Sequence, residues 1–73
     1  MNAPDHTLES DGAGNFIVKV GQDVAGTIAK DHQYTGLWGA WDQDGQFMGR
    51  VGSKKDAAAL LAAWFVSEEQ DWL

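Results

Sequence analysis

The sequence has no cysteine, one proline, two histidines and only five lysines and arginines, against eleven aspartates and glutamates, in 73 residues. Each shortage excludes something. Without thiols there is no disulfide framework and no thiolate metal site, so the usual staples of a small domain are missing. A core of this size supplies only a few kcal/mol of net stability, which points to oligomerisation or a partner as the missing support. The formal charge of -6 repels bare nucleic acid and anionic membrane at long range. It reads first as a solubility device and second as an imitation of a phosphate backbone. The longest uncharged stretch in the C-terminal half, Ala57 to Ser67, is too short to cross a bilayer and is about half alanine. The first residues carry neither a basic start nor an apolar run, so no secretory signal is read and a cytoplasmic location is expected.

Catalytic groups are equally scarce. His6 lies among polar residues near the start, and His32 sits beside Asp31 in a polar connection. An exposed histidine next to a charge is far more often a solvated side chain than an oriented base, and no nucleophile lies at a suggestive spacing. Asp42, Asp44 and Gly45 echo the start of a calcium loop but lack its later ligands and closing glutamate. The nine glycines are scattered, with no phosphate loop among them. The expectation is a protein that is not an enzyme, with no catalytic residue, no metal and no cofactor.

What is present reads as one small α+β domain. Residues 1–14, rich in Asp, Gly, Ser, Asn and Ala, read as a disordered tail, and residues 15–73 as the folded unit. Phe16, Val18 and Val20 alternate with Ile17 and Lys19 in the period of a strand, and Gly21-Gln22-Asp23 reads as a turn. Val24 to Ala29 favours extended backbone, with Gly26 marking a weak point or a bulge. Leu37–Trp41 and Gln46–Val51 flank Asp42-Gln43-Asp44-Gly45, a hairpin in which Gly45 closes a type I turn with a bulge. Strand alternation places Trp41 on one face with Leu37, Gly39, Phe47, Gly49 and Val51, and places Trp38, Ala40, Met48 and Arg50 on the other. Ser53-Lys54-Lys55-Asp56 has the form of a capping box, so a C-terminal helix starts there. The expected architecture is a three- or four-stranded antiparallel meander followed by one helix, ββββα.

From Ala57 to Val66 the helix sequence is apolar all round, and a single small sheet covers only one side of a helix. Trp64, Phe65 and Val66 span too wide an arc to point one way. A homodimer follows as the expectation, with Leu61, Trp64, Phe65, Trp72 and Leu73 at the dimer or partner interface. Four tryptophans are a surplus for this length, and tryptophan is enriched in cores and at interface hot spots. Trp41 and Trp64 are assigned to the core. Trp38, with Met48 and Arg50, is assigned to an exposed binding face. Ser53, Lys54 and Lys55 at the helix start form a candidate anion site, because unpaired amides and the helix dipole favour a negative charge there.

The stretch Trp41 to Trp64, with its hairpin glycine, Gly49, the Ser53-Lys54-Lys55-Asp56-Ala57 helix start and the trailing Trp64, resembles the arm-type, AP2-like DNA-binding domains of phage integrases. That resemblance covers about a third of the chain. It implies a three-stranded sheet backed by a helix, with the sheet entering the major groove. A sheet that reads DNA needs several cations on its exposed face, and here the strands offer Lys19 and Arg50. The leading functional expectation is a non-catalytic protein-interaction module, of a kind that suits a phage or plasmid accessory factor acting on a host protein. The alternatives are a sheet-based nucleic-acid binder using Lys19, Arg50, Lys54 and Lys55, and an acidic DNA mimic.

Overall fold

Local turn chemistry lays the strands down in chain order. The computed structural model describes residues 5–70, and within them β1 (Thr7–Ser10), β2 (Asn15–Val20), β3 (Asp23–Lys30), β4 (Trp38–Asp42) and β5 (Phe47–Val51) form one antiparallel meander. Helix α1 (Lys54–Gln70) follows and packs across one face of the sheet. Val20 pairs with Asp23 around a two-residue loop whose first member, Gly21, takes a φ of 65°, the left-handed conformation such hairpins need. At the β4–β5 hairpin the Asp42 carbonyl accepts from the Gly45 amide at 3.0 Å, and Gly45 takes a φ of 84°. The Asp42 carboxylate accepts from the amides of Asp44 at 2.9 Å and Gln46 at 2.8 Å. The aspartate that echoed a calcium ligand is thus a buried turn acceptor.

The sheet has five strands where at most four were expected. The extra one, β1, falls in the stretch read as a tail: Thr7–Ser10 pairs with β2, and Leu8 packs against the core. Its sequence, Thr-Leu-Glu-Ser, carries one apolar residue and gives no period-two signal, so it is a strand by virtue of its neighbour. The tight return from β1 to β2 is held by Asp11, whose carboxylate accepts from the Ala13 amide at 2.8 Å and the Asn15 amide at 3.1 Å.

Helix α1 starts as the capping residues demand, with the Ser53 hydroxyl accepting from the Asp56 amide at 3.1 Å. The core lies between this helix and the sheet: Val18, Ala25, Ile28 and Ala40 meet Ala57, Ala58, Leu61 and Phe65. Phe16, Val20, Trp38, Met48, Val51 and Trp64 border it, half-buried. Small residues bring the layers close. A Cβ at Gly26 would stand 2.2 Å from the Trp41 carbonyl oxygen and 3.0 Å from a Leu61 methyl. Among the described residues no helix is long and apolar enough to cross a membrane.

One assignment of faces is reversed by a β-bulge and another by the side of the sheet that the helix takes. Ala40 pairs with Gly49 but Trp41 pairs with Phe47, so Met48 is an extra residue in β5. Up to the bulge Phe47 keeps to the Trp41 face, and beyond it Arg50 joins that face, opposite Gly39, while Gly49 and Val51 fall with Ala40 and Trp38. The helix covers the side that carries Trp38, Ala40 and Ile28, so Trp38 and Met48 border the core and Trp41 lies on the helix-free side. Trp38 and Met48 are therefore not an exposed binding pair. The case for a helix-mediated dimer also loses its ground, because Leu61 is fully buried and Phe65 is 8% exposed within the single chain. Leu60, 37% exposed, is the large apolar residue left on the outer side of the helix. Trp72 and Leu73 lie outside the described residues.

Candidate functional site

The helix-free face of the sheet carries the aromatic pair Trp41 and Phe47. One cross-strand row runs the full width of the sheet: Glu9 pairs with Ile17, Ile17 with Thr27, Thr27 with Trp41 and Trp41 with Phe47. Antiparallel neighbours in such a row stand within side-chain reach on one face. Trp41 leans along its own strand over Gly39, where an added Cβ would lie 2.7 Å from the indole. The indole thus lies low against the sheet and covers the backbone that glycine leaves bare. Phe47 meets it edge-on, with ring centroids 5.6 Å apart and planes inclined at 60°. Phe47 is 47% exposed and Tyr34, from the β3–β4 connection, 52% exposed.

Arg50 joins the strands to that connection. Its guanidinium carbon lies 4.8 Å from the centroid of the Tyr34 ring and 4.8 Å from that of Phe47, so the cation is flanked by two π-faces. Its Nε donates to Asp31, and an Nη donates to Gln33 at 3.5 Å. Asp31 also closes the connection on itself, its other carboxylate oxygen accepting from the amides of Gln33 at 2.8 Å and Tyr34 at 2.9 Å. The Asp31 side chain is 7% exposed. Its carboxyl is held below the usual carboxylate range, chiefly by the Tyr34 amide and further by Arg50 and the Gln33 amide, against the opposing effect of desolvation. Asp11 is lowered likewise, first by the Ala13 amide and then by the Asn15 side chain.

Both shifts run downward from 3.8, so the stabilisation they carry is complete well above that value and is lost as pH falls below it through the lowered folded-state values. The urea midpoint of unfolding is expected to hold steady from neutrality to about pH 5 and to decline below it. Asp31→Asn keeps an oxygen for the two amides but gives up the charged partner of Arg50. It is expected to lower the midpoint at neutral pH and to make the acid decline shallower, as denaturation curves at pH 7 and pH 3 would register.

Two shallow hollows flank the β3–β4 connection. One, of about 190 Å³, is lined by Lys30, Asp31, His32, Gln33, Trp41 and Arg50. The other, of about 250 Å³, opens beside Leu37 and Trp38. Sites that enclose a small molecule run to about 300–1,000 Å³, so each hollow has room for about one side chain. His32 lines the smaller hollow, but the carboxylate next to it in sequence is committed to Arg50 and the turn amides, so the two do not make an acid–base pair.

Two of the other four cations are engaged. Lys19 pairs with Glu9 at 2.5 Å, and the Lys54 ammonium sits 3.6 Å from the centroid of the Phe16 ring. Phe16 in turn stacks at 6.1 Å on Trp38. At the candidate anion site Ser53 is spent on its cap, Lys54 lies over Phe16, and Lys55 is exposed. Of the residues assigned to the binding face, Arg50 alone lies on the open side. The rings it meets there, Tyr34 and Phe47, were not assigned to a site. Gly49, inside a strand at a φ of 149°, is the trace of the bulge that brings them together. No family model, no curated protein and no solved structure matches the chain.

Proposed function

We propose that this chain is a non-catalytic protein-binding module that seats its partner on the helix-free face of the sheet. The observation that carries the reading is the ridge formed there by half-buried Trp41 with exposed Phe47, Arg50 and Tyr34: rings and a pinned guanidinium, continuous with Ile17 and Thr27. Tryptophan, tyrosine and arginine are the side chains that most often dominate interface energetics. Holding them in place beforehand lowers the entropy lost on binding.

A DNA-reading sheet would draw on Lys19, Arg50, Lys54 and Lys55. Lys19 and Arg50 are ion-paired, Lys54 lies over Phe16, and the chain as a whole carries -6, so counterion release offers little. The protein reading is the better supported.

The test compares proteins retained from an extract of the source cells by the unchanged chain, by Phe47→Glu on the sheet face and by Leu60→Glu on the outer helix face. Loss with Phe47→Glu and retention with Leu60→Glu is the expected pattern. The reverse pattern would move the site to the helix and sink the reading.

A further inference from the structure

The sheet face also restricts the chemistry of what it binds, on the premise that it is a protein-docking surface. Recognition by strand addition is hindered at both edges. β1 is four residues long, and β5 carries the bulge at Met48 with Gly49 at a φ of 149°, devices that twist or shorten an edge. What remains is recognition by side-chain surfaces alone. Trp41 lies low over Gly39 and Phe47 stands edge-on to it at 60°, which makes a corner of two π-surfaces. A segment in the polyproline II conformation suits such a corner. It carries flat pyrrolidine rings, needs no ladder of backbone hydrogen bonds, and is already extended before it binds. The adjoining hollow of about 190 Å³ takes one such ring.

Charge selects among such segments. In a meander the β2–β3 and β4–β5 turns emerge at the same end of the sheet, and they place Asp23 and Asp44 there, both exposed and neither ion-paired among the described residues. Of the cations on this side, Lys19 and Arg50 are neutralised by Glu9 and Asp31, and Lys30, which lines the hollow, lies at the end of the sheet away from Asp23 and Asp44. The face therefore offers apolar rings beside unmatched negative charge. We infer that it binds a basic, proline-bearing segment of another protein, with proline rings on Trp41 and Phe47 and flanking Lys or Arg toward Asp23 and Asp44.

The experiment is a titration of the whole chain, followed by amide and indole NMR shifts, with three probes taken to millimolar concentration. The probes are a proline-rich peptide with arginine at each end, the same peptide with alanine for every proline, and oligothymidylate. Saturable shifts centred on Trp41 and Phe47, produced by the proline peptide alone, are expected. Phe47→Ala, at a position already half exposed, should weaken that binding about tenfold or more without unfolding the chain. Asp23→Asn with Asp44→Asn should weaken it and flatten its salt dependence. Equal binding of the alanine peptide overturns the proline assignment while leaving the docking face intact. Silence from both peptides, with a protein still captured through Phe47, overturns this inference and not the function proposed above. Oligothymidylate shifting the same rings in place of the peptides overturns both.

Discussion

Gly26→Ala is expected to unfold the chain or leave it marginal. At this position β3 lies beside β4 and under the helix, opposite Asp42, and the missing side chain is what allows the approach. A methyl would stand 2.2 Å from the Trp41 carbonyl oxygen and 3.0 and 3.1 Å from the two Leu61 methyls. The leucine can rotate, but the carbonyl belongs to the β3–β4 ladder, so relief requires the strands to part or the register to change. Overpacking a core costs about 1–3 kcal/mol when side chains can adjust, and a backbone obstacle puts this case at or above the top of that range. A domain of this length has a total stability of roughly 4–11 kcal/mol, so a large share is at stake. Urea denaturation followed by tryptophan fluorescence would measure it. A midpoint equal to the unsubstituted chain would mean that β3 does not approach β4 and the helix as closely as described. Gly21→Ala, in open space at the β2–β3 turn, is the comparison that separates this collision from the cost of a positive φ alone.

The contrast between these two glycines shows which parts of the fold can be read from residues. Turns are local: Gly21 and the Asp42–Gly45 run carry their geometry within four residues, and so does the Ser53 cap. The helix and four of the strands follow from periodicity. The β1 strand does not, because Thr7–Ser10 is extended only through its ladder with β2 and the burial of Leu8, which are contacts at a distance. The assignment of faces fails for a different reason. Each face of β4 carries one tryptophan, so parity within that strand is symmetrical and cannot say which side the helix takes. One extra residue in β5 then changes parity along that strand and sends Arg50 to join Trp41. Half of the candidate site, Trp41 and Phe47 as a pair, was legible in matched hairpin parity. The other half was not, since Tyr34, Asp31 and Gln33 reach Arg50 from a connection 16 to 19 residues earlier in sequence.

Phe65→Glu separates the helix as core from the helix as interface. An all-apolar helix suggests two covered sides, and on that view a charge at Phe65 would split an assembly into folded single chains. The structure assigns the aromatic ring to the sheet instead: it is 8% exposed, in a cluster with Leu61, Ala58 and Val18. Removing a buried phenylalanine costs about 3–5 kcal/mol before any carboxylate is desolvated in its place, so the expected result is loss of cooperative folding at 37 °C. Leu60→Glu, one turn earlier on the outer side, is expected to change stability by about 0.5 kcal/mol or less. Circular dichroism melts paired with light scattering distinguish the two accounts. A Phe65→Glu chain that stays folded at a lower mass would restore the dimer and require the helix to pack against a second copy. An unfolded one, beside a folded Leu60→Glu, leaves the alanine-rich outer side of α1 as surface that a good helix former can expose, and leaves the opposite face of the sheet as the proposed docking surface.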